Sequence, residues 1–332
     1  MKRAAQLVAS LALSALFLWL AFRNVDFAAA MRLVGSVSLP LVALYVVSLV
    51  LIQLARAARW EILVRPFAAI SKRAAFRISN IGGMLVLVLP LRLGELSRPY
   101  LLKRECGARM SAGLGAVVVE RAIDGLLVTL FFFVSTMASS QNEHVPAGLH
   151  LAAVLALLFF TAAMAVVVAT LLWRDTALRV VSRLVTPISR ALASRLTGML
   201  SAFVDGLRAL PNARAVAGVI FWTAIYWAIN GLGFYCVMRA FGWSLPPTAG
   251  FTLVSIIVIA IMIPAGPGFI GTFQAGIIAG LAIYGIGANA AAAYGLVVYP
   301  LNLLVVVAFG LPYLFSPKAA IGDIVRAAPD GA

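Results

Sequence analysis

The residues best suited to chemistry in this chain fall in three short runs. The first, LPLRLGELSR over Leu89–Arg98, carries Arg92, Glu95 and Arg98 directly after the apolar run ISNIGGMLVLVLP. A helix restarting after Pro90 would place these three at i, i+3 and i+6, on one face. The second run is Glu120, Arg121 and Asp124, set inside a long apolar segment. Glu120 and Asp124 share a helix face at i, i+4, and Arg121 stands i, i+3 from Asp124. The third, PAGPGFIGTFQ over Pro264–Gln274, contributes Gly266, Gly268, Gly271, Thr272 and Gln274. A charge at the centre of a bilayer helix costs roughly 2.5–3.5 kcal/mol on insertion scales, so intramembrane ionisable groups point to function.

Each run admits two chemistries. Arg92 and Arg98 suit an anion, because the guanidinium fork matches phosphate oxygens, and Glu95 between them could pair with either. The same trio could instead neutralise itself and only fasten a hairpin. Arg121 between two carboxylates leaves a surplus negative charge. Either another arginine, Arg92 or Arg98, crosses to it, or one carboxylate holds a proton and couples to proton movement. The glycine-rich run would expose backbone N–H groups at a helix start, where an anion is favoured, although glycine also serves close helix packing. Trp222, Tyr226, Trp227 and Asn230 read as packing and interface anchors. No GxxxxGK[ST], GxSxG or HExxH pattern is present, which argues against an ATP-driven pump or a standard hydrolase. Cys106, Cys236, His144 and His150 suggest neither a disulfide framework nor a metal site, and no cofactor is expected.

The elements that position these runs follow from composition. The 332 residues are 63% hydrophobic and 11% charged, with mean hydropathy +1.05; a soluble domain is nearer 25% charged. The expectation is an all-α polytopic membrane protein, a single transmembrane domain over 1–332. Six full spans are expected at 4–22, 39–58, 111–137, 150–173, 215–238 and 289–315. Two broken, re-entrant hairpins are expected at 78–107 and 248–286, since the pieces flanking Pro90 are each too short to span. Arg56, Arg59, Arg65, Lys72, Arg73 and Arg77 read as a basic cytoplasmic loop, and 174–214 as an amphipathic segment on the inner leaflet. That segment would join halves 1–173 and 215–316, with both termini cytoplasmic. A single full span at 78–102 would put the arginine-rich segment outside, against the positive-inside rule. One broken hairpin then enters from each side, the pattern of an inverted repeat. The net charge of +15 reads as contact with anionic lipid, not nucleic acid.

Taken together, NIGGMLVLVLPLRLGELSRPYLL, SAGLGAVVVERAIDGLLV and IPAGPGFIGTFQAGII resemble the lysylphosphatidylglycerol synthase transmembrane, or flippase-like, family over roughly residues 5–316. The specific part is the order: Pro90, Arg92, Gly94, Glu95 and Arg98; then Glu120, Arg121 and Asp124; then Pro264, Gly266, Gly268 and Gly271. Full-length family members carry a soluble aminoacyl-transferase domain after the membrane region, so the resemblance implies the lipid-translocating part without the lysyl-transferring part. The family often has glutamate near the position of Gln274, where glutamine cannot titrate.

The resulting expectation is an inner-membrane lipid translocase that holds an anionic or zwitterionic headgroup mid-membrane, either as a homo-oligomer or beside a lipid-modifying enzyme. Two alternatives stand beside it. In one, an intramembrane transferase uses Glu95, Glu120 or Asp124 as general base. In the other, a non-catalytic partner subunit needs the charges only to fold.

Overall fold

The computed structural model describes residues 12 and 14–314 apart from 24, 90–93, 139–146, 188, 191–192, 195, 199, 202–212 and 264–265. Among the described residues the chain is helical, with no strand. In order the helices are α1 (Ser14–Phe22), α2 (Phe27–Gly35), α3 (Leu39–Val64), α4 (Lys72–Val88), α5 (Ser97–Cys106), α6 (Met110–Ala138) and α7 (Ala147–Leu172). They continue as α8 (Arg174–Val185), α9 (Ala213–Ala240), α10 (Thr248–Met262), α11 (Thr272–Ala282) and α12 (Ala288–Leu314).

Among the described residues, three helices are long and apolar enough to cross a membrane: Leu39–Val64, Arg214–Ala240 and Ala288–Tyr313. The number rises to five if two bent pairs each count as one span. One is α1 with α2, bent by 78°, and the other joins α7 to α8 through 109°. Large apolar side chains such as Leu39, Leu44, Val47, Leu51, Leu130 and Leu158 stand exposed on the outer surface. That is a penalty in water and none in a lipid phase.

The two expected breaks are present as paired short helices. Ser71 caps α4, its hydroxyl accepting from the Ala74 N–H at 3.2 Å. Leu89, the residue before Pro90, is extended (φ −84°, ψ 138°) and ends α4, as a residue preceding proline is driven to be. Gly94 then lies against the backbone of α4, where a Cβ would come within 2.1 Å of the Leu85 carbonyl carbon and the Val86 nitrogen. In the second pair, α10 and α11 are joined through a single 3-10 turn, Pro267–Phe269, in which Gly268 (φ 76°) takes the left-handed region. The turn packs on α4, the helix that the first break ends.

One expectation is corrected here. Arg56 and Arg59 do not lie in a basic loop: α3 runs on to Val64 and carries both inside it. Lys72, Arg73 and Arg77 likewise belong to α4, leaving 65–71 as the connection. The helix continues because Arg59 finds its counter-charges, Glu120 and Asp124, within the protein, a long-range effect that hydropathy along the chain does not register.

Packing divides into two apolar cores. One gathers Tyr45, Leu49 and Ile52 of α3, Val128 and Phe132 of α6, and Trp227 and Phe234 of α9, with much of α10 and α12. The other gathers Trp60, Leu63 and Val64 of α3, Ala116, Val117 and Val119 of α6, and Val219 of α9, with α4 and α5. On α3 the residues between the two cores include Gln53, Arg56 and Arg59, and on α6 they include Glu120, Arg121 and Asp124. A polar layer is thus held between two apolar ones.

Candidate functional site

Glu120, only 1% exposed, lies at the centre of this layer. Arg59 reaches its Oε1 at 2.9 Å, Arg98 reaches its Oε2 at 2.8 Å, and Arg121 approaches Oε1 at 3.2 Å. Asp124, one turn further along the same face, takes Arg59 in a fork: Nη1 to Oδ1 at 2.5 Å and Nη2 to Oδ2 at 3.3 Å. Arg121 lies 3.5 Å from Asp124 Oδ2 and 3.3 Å from Glu95 Oε2. The Trp227 indole N–H donates to Asp124 Oδ1 at 3.0 Å. The flat faces of two guanidinium groups are also used, Arg98 over Trp60 at 4.6 Å and Arg59 over Tyr226 at 5.0 Å, an arrangement favoured where the cation is desolvated.

Local sequence explains how the arginines enter. Gly82 and Gly83 of α4 leave the space they fill. A Cβ at Gly82 would come within 2.2 Å of Arg98 Cγ, and one at Gly83 within 2.3 Å of Arg56 Nη2. The first pair of glycines in NIGG is therefore a shelf on which two guanidinium side chains lie against a helix backbone.

Two adjoining cavities open from the layer. The smaller, about 210 Å3, is lined by Arg56, Arg59, Glu95, Arg98 and Arg121 together with Ser79, Gly82, Gly83, Gly268 and Asn302. The larger, about 510 Å3, is lined mainly by apolar and aromatic groups: Phe159, Phe160, Trp227, Phe234, Val254, Val258 and Met262. Glu95, Arg121, Tyr226 and Phe273 border both. Phe159 and Met262 are exposed at the apolar outer surface, so the larger cavity reaches that surface.

Of the residues expected to form a site, Glu95, Arg98, Glu120, Arg121 and Asp124 come together as one ion-paired group, and Gly268 lines the smaller cavity beside Glu95, Arg98 and Arg121. Arg92 lies outside the described residues. Gly266, Gly271, Thr272 and Gln274 are placed otherwise. The Gly266 N–H donates to Ser14 of α1 at 2.7 Å, and the Gly271 N–H to the side-chain oxygen of Gln274 at 2.8 Å. The Thr272 hydroxyl donates to Phe269 O at 3.1 Å. The expected free N–H groups at this helix start are thus partly consumed. Gln274 caps its own helix, and a Cβ at Gly271 would strike Ser14 O at 2.5 Å.

Arg56, Arg59, Tyr226 and Trp227 went unrecognised in the sequence as site residues. The usable signal was Gln53, Arg56 and Arg59 at three-residue intervals, continuing one helical face beyond the apolar run. The charge surplus at Glu120 and Asp124 demanded a further arginine, and two cross to it: Arg98, as one alternative held, and Arg59.

Comparison with known proteins gives one result. The family model described as the lysylphosphatidylglycerol synthase TM region matches residues 7–310. No curated protein and no solved structure matches.

Proposed function

The chain belongs to the lysylphosphatidylglycerol synthase TM-region family, and from that membership we propose that it is a lipid translocase of the bacterial inner membrane. The observation that carries the reading is the pairing of a charged cavity with an apolar one across a shared wall of Glu95, Arg121 and Tyr226. An amphiphile needs both: a polar chamber for its headgroup and an apolar slot for at least one chain. The apolar slot reaches the lipid-facing surface beside Phe159 and Met262, so a lipid would enter sideways, from the bilayer. Arg121, with 42% of its side chain exposed, stands on the wall shared by the two cavities, where headgroup and chain would part. In this proposal the two broken helix pairs form an inverted repeat with six membrane crossings in all. Rocking of one repeat against the other would alternate access to the layer. The cargo leaves chemically unchanged, which separates a translocase from an intramembrane transferase.

The test is transport of labelled lipid by purified protein in vesicles, scored as label made accessible on the far leaflet. Wild type is expected to move lipid of at least one headgroup class, and Arg121→Ala to lose most of that rate while remaining folded. Failure to move any class, or an Arg121→Ala protein as fast as wild type, would sink the reading. A lipid recovered with an altered headgroup would instead favour the transferase.

A further inference from the structure

The polar layer does not balance. Among the described residues it holds four arginines, Arg56, Arg59, Arg98 and Arg121, against three carboxylates, Glu95, Glu120 and Asp124. Three of the arginines are engaged by those carboxylates. Arg56 differs: among the described residues it makes no ion pair. Its Nη2 donates to two neutral oxygens, Gln53 Oε1 and, at 3.5 Å, Asn80 Oδ1. Its Nε has no hydrogen-bond partner among the described residues. Gln53 and Asn80 are themselves buried, at 2% and 0% exposure. Neutral acceptors orient a guanidinium without cancelling its charge, and the bare Gly83 backbone lets it lie open on the wall of the smaller cavity.

An orientated, uncompensated cation inside a membrane protein is costly unless a counter-charge arrives. We propose that Arg56 is the anchor for a phosphate-class anion, and that the cargo is accordingly a lipid with a net negative phosphate headgroup. This rests on the translocase reading and adds the sign of the cargo's charge and the residue that reads it. Arg98, suggested by the sequence with Arg92 as an anion holder, is unsuited because Glu120 already occupies it. The planar fork of Arg56 fits two phosphate oxygens at once, which a lysine cannot do.

The experiment uses purified protein in phosphatidylcholine vesicles carrying spin-labelled phosphatidylglycerol, with spin-labelled phosphatidylcholine as comparison. The measured quantity is the motionally restricted fraction of each label. Wild type is expected to prefer the anionic label by about tenfold or more. Arg56→Gln removes the preference, whereas Arg56→Lys keeps part of it. Wild type that retains both labels equally overturns the proposal, and that result does not depend on any variant folding. A folded Arg56→Gln protein with undiminished preference overturns it as well. Added inorganic phosphate is expected to displace nothing; displacement would overturn the lipid as the source of the anion. Wild type that restricts neither label overturns the proposal too, whereas the translocase reading itself fails only if lipid of no headgroup class moves in the vesicle assay, so the two failures are told apart.

Discussion

At the scale of single residues, Glu120 is the side chain on which most depends. It accepts from Arg59 and Arg98 and lies beside Arg121, so its removal would leave two fully buried guanidinium groups short of charge. Deleting one partner of a buried ion pair costs about 3–5 kcal/mol, far more than the pair contributes against an apolar replacement. Glu120→Gln is therefore expected to destabilise the protein by roughly that amount, read as a lowered unfolding midpoint in detergent. Arg65, exposed and paired with Glu61 across one turn, gives the contrast: Arg65→Ala should shift that midpoint by no more than about 1 kcal/mol equivalent. A comparable loss at both positions would show that the layer is not the structural keystone argued for it.

At the scale of elements, glycine decides where helices can break and how closely they approach. Gly94 sits with its α-carbon against the backbone of α4, whose atoms cannot move aside as a flexible side chain can. Gly94→Ala is expected to open the first broken pair, lowering stability by about 1–3 kcal/mol as overpacking does. Gly35→Ala, where nothing lies within 4 Å of the added methyl, should be tolerated. Thermal unfolding of the two variants side by side checks this, and equal behaviour would contradict the packing account. These breaks were legible in the sequence because proline and glycine act locally: Pro90 sets the conformation of Leu89, and Gly268 supplies a positive φ. The true end of α3 was not legible in the same way. Its last two turns look like a loop by charge, and only Glu120 and Asp124, far along the chain, make them helix. The second glycine run misled for a related reason. Its N–H groups looked available for an anion, but α1 supplies Ser14 to one and Gln274 caps another.

At the scale of the whole molecule, the arrangement is a polar sheet of side chains between two apolar cores, with cavities of opposite character opening from it. The apolar cavity offers a means of separating binding from folding. Val258, half-buried on its wall, makes no ion pair itself and faces space that a larger side chain could fill. Val258→Trp is expected to abolish lipid movement in vesicles while leaving the unfolding midpoint within about 1 kcal/mol of wild type, as space-filling substitutions allow. Transport at the wild-type rate would mean that no chain of the cargo uses this cavity. The fold class and the three charged or glycine-rich runs could be read from sequence because each is compact in the chain. The pairing of the two cavities could not, since its walls come from helices spread from α3 to α12.

The distance between charge and counter-charge also sets an order of events during synthesis. Arg59 leaves the ribosome 65 residues ahead of Asp124. At roughly 5–20 residues per second this is a wait of several seconds. Throughout that interval α3 holds two arginines in or near the bilayer with no carboxylate of α6 yet made. The helix must therefore be sheltered at the insertion machinery, or sit displaced toward the headgroups, until α6 arrives to draw it into place. Assembly is in this sense a delayed closure, in which a later helix decides the final depth of an earlier one.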